Sequence, residues 1–265
     1  MEGHIGKIGV FDSGLGGLVI LRELRKKLPQ YDYVFFGDQE NLPFGNKSLD
    51  ELFDIAQNAI RFLYEKKQCR AVLIACNTVS ANLYDKLKVW VKSTYPDRYV
   101  FGIGKGTVDS VTEDTHFTVF GTPRTIESHR YKTLLEKRFP GANVSEVALS
   151  ELAVLIESRL PVEDYLSTFI DHVPHEQGTA ILACTHYGIK IDSFRKVFPQ
   201  FDTVVAQENV LPIFFESYFQ SREIIRTALS TNGTLEIISS VESVSIAYAV
   251  QKWFPGFSLL IQKRV

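Results

Sequence analysis

The chain of 265 residues is 45% hydrophobic and 23% charged, a composition that builds a globular core, excludes a disordered chain and, at this length, suggests about two domains. Its 29 Lys and Arg against 31 Asp and Glu leave a formal net charge of -2, so no basic surplus calls for nucleic acid as the main ligand. No apolar run approaches the roughly 18 residues of a bilayer span and Met1-Glu2-Gly3-His4 lacks a basic leader, so a cytoplasmic protein without a membrane partner is expected.

Short apolar runs recur along the chain, each followed by a polar or glycine-rich turn and then a helical pattern. The first, Ile8-Gly9-Val10-Phe11, runs into Asp12-Ser13-Gly14-Leu15-Gly16-Gly17. Leu18, Leu21, Leu24 and Leu28 then share one helical face, with Arg22, Arg25, Lys26 and Lys27 off it and Pro29 ending the helix. Tyr33-Val34-Phe35-Phe36, Ala71-Val72-Leu73-Ile74, Thr118-Val119-Phe120 and Ala180-Ile181-Leu182 read as further buried parallel strands. Alternating strand and helix predicts an α/β fold.

An internal echo divides the chain. The run ending in Ala75-Cys76-Asn77-Thr78 resembles the one ending in Ala183-Cys184-Thr185-His186 at an offset of 108, and Val10-Phe11-Asp12-Ser13 echoes Val119-Phe120-Gly121-Thr122 at 109. Two matches in the same order predict a duplicated α/β unit. Each half then carries a cysteine just past the carboxyl end of a strand, where open α/β sheets build ligand sites, and facing halves would put two thiols around one cleft.

The loop after the first strand combines glycines with a helix N-terminus, suited to a small carboxylate or phosphate; its spacing is not a dinucleotide fingerprint, and simple capping by Asp12 or Ser13 is the bland reading. Gly121-Thr122-Pro123-Arg124-Thr125-Ile126-Glu127-Ser128 is a second such turn. Three cysteines do not make a disulfide framework. At a strand-to-helix junction Cys76 and Cys184 can be held partly as thiolates by the helix dipole, which would make them bases or nucleophiles, whereas Cys69 has no such junction and reads as a small apolar residue. Zinc on Cys76, Cys184 and His186 would have only three ligands from distant segments, so no metal is expected.

Taken together, the Asp12 loop, Pro43-Phe44-Gly45-Asn46-Lys47-Ser48, Cys76-Asn77-Thr78-Val79-Ser80, the Thr122 turn and Cys184-Thr185-His186-Tyr187 resemble the aspartate/glutamate racemase family, in the family order. The resemblance implies two pseudo-symmetric three-layer α/β lobes with mostly parallel sheets and the active site in the cleft between them. Residues 1–97 with 208–265 would form the first lobe and 98–207 the second. It implies racemisation of an amino acid, glutamate first, without pyridoxal phosphate or another cofactor, supplying D-glutamate for peptidoglycan. Removing an α-proton on one face and returning one on the other needs two bases flanking a carbon. The resemblance gives that role to Cys76 and Cys184, assisted by Asp12 and His186, with Glu157 as a supporting carboxylate. Substrate would be held by Asp12, Ser13, Pro43, Phe44, Gly45, Asn77, Thr78, Thr122, Thr185 and His186. The partner expected is a small acidic amino acid, and a homodimer is left open.

The sequence departs from the family pattern at several points. Phe44 lacks the hydroxyl of the usual tyrosine, and Gly188 stands where proline follows Cys-Thr-His-Tyr. Ala148-Leu149-Ser150-Glu151 and Gly102-Ile103-Gly104-Lys105-Gly106 replace two further loops. These departures keep two alternatives in view: an aspartate racemase, and a catalytically idle member that binds an acidic metabolite or a protein partner. Lys105 reads either as an attractor of anions to the cleft or as a surface lysine.

Overall fold

The computed structural model describes residues 5–112 and 114–262; the N-terminal tetrapeptide read above lies outside the described residues. Among the described residues ten strands are formed: β1 Lys7–Asp12, β2 Tyr33–Gly37, β3 Cys69–Ile74, β4 Tyr99–Gly102, β5 His116–Gly121, β6 Asn143–Ala148, β7 Gly178–Ala183, β8 Phe201–Ala206, β9 Leu235–Ser239 and β10 Leu259–Ile261. They build a six-stranded sheet in the order β10-β9-β2-β1-β3-β4 and a four-stranded sheet in the order β6-β5-β7-β8. Every strand pairing within them is parallel. With helices on both faces of each sheet, this is the expected α/β architecture.

The segment β2-β1-β3-β4 of the first sheet and β6-β5-β7-β8 of the second have the same connectivity, which is the structural form of the duplication read from the two echoes. The central strands β2, β3 and β7 are buried at every residue, because helices cover both faces, and they are the apolar runs legible in the sequence. β6 and β8 are edge strands that mix exposed and half-buried residues with buried ones, so neither is a continuous apolar run.

β4 pairs with β3 from Ala71↔Tyr99 to Ile74↔Gly102 and so belongs to the larger sheet, as do β9 and β10. The expected boundary at residue 98 falls ahead of β4; we propose that the first lobe runs to Gly102 and resumes at the helix Gln207–Gln220. The chain crosses between the lobes twice, through the helix Ile103–Asp109 after β4 and into the helix Gln207–Gln220 after β8. Among the described residues no helix is long and apolar enough to cross a membrane.

Candidate active site

In each sheet the chain leaves the central pair of strands in opposite directions, β1 to β2 and β3 to β4, β5 to β6 and β7 to β8. Such a switch opens a crevice at the carboxyl ends of the pair. Asp12 ends β1, and Ser13 and Cys76 follow β1 and β3; Thr122 and Cys184 follow β5 and β7. The two crevices face each other. Thr78 Oγ1 and Thr122 Oγ1 are 3.2 Å apart across the seam, and the Leu15 amide donates to Glu157 Oε1 at 3.3 Å.

Each sulfur has its own set of partners. The Cys76 thiol donates to Ser13 Oγ at 3.6 Å, and Asp12 lies behind it, fully buried, with Oδ2 accepting from the amides of Gly17 at 2.8 Å and Gly14 at 3.4 Å. Cys184 Sγ is 3.8 Å from His186 Nδ1, and His186 Nε2 is 2.8 Å from Glu157 Oε1. Glu157 Oε2 accepts from Gln39 Nε2 at 3.4 Å. The amides of Gly14, Leu15 and Gly17 therefore hold carboxylates of the protein itself. This corrects the expectation that they would cradle a ligand anion; the cap residue of the helix Gly16–Lys27 is Leu15, without a side-chain cap bond, and Asp12 reaches the first turn through the Gly17 amide.

Burial disfavours the His186 imidazolium, but Cys184 and Glu157 outweigh it and hold the pKa well above 6.5. Glu157 moves the other way: burial would raise it, and the bonds and charge of His186, then the Leu15 amide and Gln39, lower it. The two form an ion pair whose positive member faces Cys184. Burial pushes Asp12 from 3.8 up to about 6, against the His186 charge and the Gly17 and Gly14 amides. Burial and then the Asp12 carboxylate push Cys76 up to about 12, although the Val79 amide and the Ser13 hydroxyl favour its thiolate. The helix end is thus present at Cys76 but does not decide its ionisation, contrary to the sequence expectation. One sulfur sits beside a positive charge and the other beside a carboxylate that favours its protonated form.

Gly16 marks how closely the lobes approach. A Cβ there would come within 2.2 Å of Thr185 Oγ1 and 2.7 Å of His186 Nδ1. Gly16→Ala is expected to push the lobes apart and lower kcat about 100-fold. Its thermal midpoint should change little, since alanine in a helix is worth about 1 kcal/mol over glycine. Steady-state kinetics beside a melting curve would check both; unchanged kcat would show that the seam gives without cost.

Asp12, Ser13, Cys76, Asn77, Thr78, Cys184, Thr185 and His186 are all buried, with Thr122 and Glu157 joined to them by the bonds above. Phe44 is buried too, but its ring packs near that of Phe11, centroids 6.5 Å apart, so it serves the core, where no hydroxyl is needed. The Pro43 to Gly45 loop lies against the helix Pro123–Glu127, and Arg124 Nη2 donates to the Lys47 carbonyl at 3.0 Å across the seam. Thr122 Oγ1 accepts from the Thr125 amide at 3.4 Å and so caps its helix. Gly188 is explained by Glu208, whose Oε1 would lie 2.0 Å from a Cβ at 188. Lys105 is exposed and pairs with Asp109, which settles it as a surface lysine. All three cysteines are free, and among the described residues no group of three or more His, Cys, Asp or Glu could hold a metal ion.

Sequence reasoning missed Gln39, Thr107, Tyr131 and Gln207. Gln39 follows β2 by two residues and reaches Glu157 from the other lobe, and the other three bond one another or Asn77 beneath the site.

No family model matches the chain. Among curated proteins it is 33% identical over 195 residues to the glutamate racemase of Fusobacterium nucleatum, covering 72% of this chain and 73% of that protein. It is 36% identical over 193 residues to glutamate racemase 3 of Caldanaerobacter subterraneus, covering 70% and 68%. Among solved structures, a glutamate racemase from Bacillus anthracis superposes with a TM-score of 0.84 at 24% identity, over 98% of this chain and 97% of that one. The glutamate racemase of Francisella tularensis, solved in complex with D-glutamate, superposes with a TM-score of 0.81 at 26% identity, over 96% of each.

Proposed function

Because this chain belongs to the glutamate racemase family, we propose that it interconverts L- and D-glutamate without a cofactor, through Cys76 and Cys184 acting on opposite faces of the α-carbon. The observation that carries this reading is the opposed pairing of the two sulfurs, His186 at 3.8 Å from Cys184 and the Asp12 carboxylate behind Cys76.

In the L-to-D direction the Cys184 thiolate, paired with the His186 imidazolium, takes the α-proton. The electron pair left on the α-carbon delocalises into the adjacent carboxylate. The Cys76 thiol then gives its proton to the opposite face, and the products are D-glutamate, a Cys184 thiol and a Cys76 thiolate. The D-to-L direction returns the protons along the same path. Keeping Cys76 protonated suits it to the donor role in the first direction, and Glu157 holds the imidazolium in place for the second.

Asp12 Oδ1 is buried without a hydrogen-bond partner, an acceptor matched to the substrate ammonium. The hydroxyls of Ser13, Thr78, Thr122 and Thr185 offer donors to the substrate carboxylates. Relatives above 30% identity carry glutamate in their names, which favours glutamate over aspartate, and the intact partners of both thiols favour an active enzyme over an idle one. The D-glutamate formed would serve peptidoglycan synthesis in the cytoplasm.

The test is L-glutamate with the protein in heavy water, followed by NMR without added pyridoxal phosphate. Loss of the α-proton signal with appearance of D-glutamate is expected; an α-proton that persists would overturn the reading.

A further inference from the structure

Beneath the two thiols lies a buried network that no step above uses. Asn77 directly follows Cys76, and its side chain pairs reciprocally with that of Gln207: Asn77 Nδ2 donates to Gln207 Oε1 at 2.6 Å and Gln207 Nε2 donates to Asn77 Oδ1 at 3.0 Å. The Tyr131 hydroxyl donates to the same Asn77 Oδ1 at 2.5 Å and lies 2.7 Å from Gln207 Nε2. Gln207 Nε2 also lies 3.1 Å from Thr107 Oγ1, whose own hydrogen goes to the Ile103 carbonyl at 2.9 Å. Asn77, Thr107, Tyr131 and Gln207 are all buried.

The two amides complement one another, and the two hydroxyls complete the set. Thr107 commits its hydrogen to the Ile103 carbonyl and Tyr131 to Asn77, so Gln207 Nε2, which has two hydrogens, must share one of them among its three acceptors Asn77 Oδ1, Tyr131 Oη and Thr107 Oγ1. Turning either amide over would set nitrogen against nitrogen and oxygen against oxygen. Leaving such a network half-satisfied in a buried site is costly.

Its four members come from four separate elements. Asn77 opens the helix Asn77–Thr94 behind Cys76, and Tyr131 lies in the helix Arg130–Arg138 of the second lobe. Thr107 and Gln207 lie in the two crossover helices, Ile103–Asp109 and Gln207–Gln220. The network therefore ties the residue beside one thiol to the other lobe and to both crossings between lobes. Asn77 Oδ1 is taken up by Tyr131 and Gln207, while Nδ2 spends one of its two hydrogens on Gln207 and keeps the other, with the backbone, for the binding role expected of it.

We propose that Gln207 and Tyr131 are positioning residues that hold the two lobes at the separation at which both thiols reach one α-carbon. The proposal rests on the two-thiol reading above. Loosening the lock leaves each thiol able to remove a proton from its own face. The proton then comes back more often from the same thiol, after that thiol has exchanged with solvent through the loosened seam, than from the thiol across the cleft. Exchange with retention and inversion, which a well-set pair couples, should separate.

The variants are Gln207→Met, which keeps length and removes both polar atoms, and the milder Tyr131→Phe. Each would be given pure L-glutamate in heavy water, with deuterium in the L pool and formation of D-glutamate followed side by side, and with a melting curve for each protein. Inversion is expected to fall about 10- to 100-fold in Gln207→Met while deuterium uptake into L-glutamate changes by no more than a few-fold, with Tyr131→Phe in the same direction and smaller. A parallel fall of both rates, or no change in either, would overturn the proposal. If Gln207→Met does not fold, Tyr131→Phe alone decides it by the same ratio. Failure of the two-thiol reading is distinguishable, because exchange would then be absent from the unmodified protein or would survive in the double variant Cys76→Ala, Cys184→Ala.

Discussion

Cys184→Ala is expected to lower exchange of the α-proton of L-glutamate about 10²–10⁴-fold, the contribution of a positioned acid or base, while exchange of D-glutamate is better preserved. Cys76→Ala should show the reverse. The asymmetry follows from the proposed reading, in which each sulfur faces one side of the substrate, and from the auxiliary group each one has, His186 at 3.8 Å from Cys184 and Asp12 behind Cys76. Inversion needs both sulfurs and should be lost in either variant. A racemisation assay alone would therefore not tell them apart, whereas deuterium uptake into each pure enantiomer would. Equal loss of both exchange directions in each single variant would count against separate faces. Exchange surviving in the double variant Cys76→Ala, Cys184→Ala would remove the thiols from the mechanism.

His186 sharpens this expectation. Its imidazolium is kept by Cys184 and Glu157 against the cost of burial, so His186→Asn should depress the L-glutamate half more than the D-glutamate half. Asp12 is the corresponding group on the other side. The two auxiliary groups are nonetheless coupled: the His186 charge lowers Asp12 and the Glu157 charge raises it, so the separation of the halves will be strong but incomplete.

What could be read without coordinates was what the chain writes locally. Fully buried strands such as β3 and β7 appear as unbroken apolar runs, and a cysteine after each of them marks a carboxyl end. The repeated order of runs and turns gave away the duplication because both copies keep the same connectivity. Edge strands were not legible, since β6 and β8 mix exposed polar residues into the strand. The fate of the Asp12 loop was not legible either. Its amides look like an anion cradle from sequence, and only folding brings Glu157, 142 residues after Leu15, to fill it. The lock formed by Asn77, Thr107, Tyr131 and Gln207 has no spacing at all: Asn77 and Gln207 are 130 residues apart, and four ordinary polar residues acquire a joint role only in the packed molecule.

The same burial that shapes the site should make it costly to the fold, and Asp12→Asn is expected to show this as opposite changes in activity and stability. Burial raises the Asp12 carboxyl from 3.8 to about 6 in the folded protein. Between these values the native state binds more protons than the unfolded one, so the Asp12 contribution to stability falls as pH rises from about 4 to about 6, then stays constant. The gap corresponds to about 3 kcal/mol at neutral pH. Asparagine keeps the oxygen that accepts from the Gly17 amide at 2.8 Å and carries no charge to desolvate. Asp12→Asn should therefore be more stable than the unmodified protein at pH 8 by up to that amount, and the advantage should vanish below about pH 4, where the aspartate is neutral in both states. Exchange at Cys76 should fall about 10²–10⁴-fold in the same protein, because the buried base proposed to assist that sulfur is gone, a loss that outweighs the easier ionisation of the thiol without a neighbouring negative charge. Denaturant unfolding at several pH values, set beside exchange of D-glutamate, measures both. A variant less stable than the unmodified protein at pH 8, or equally favoured at pH 8 and pH 4, would mean that Asp12 is not held as a desolvated carboxylate. A gain in stability with activity intact would mean that it is held so for some purpose other than assisting Cys76.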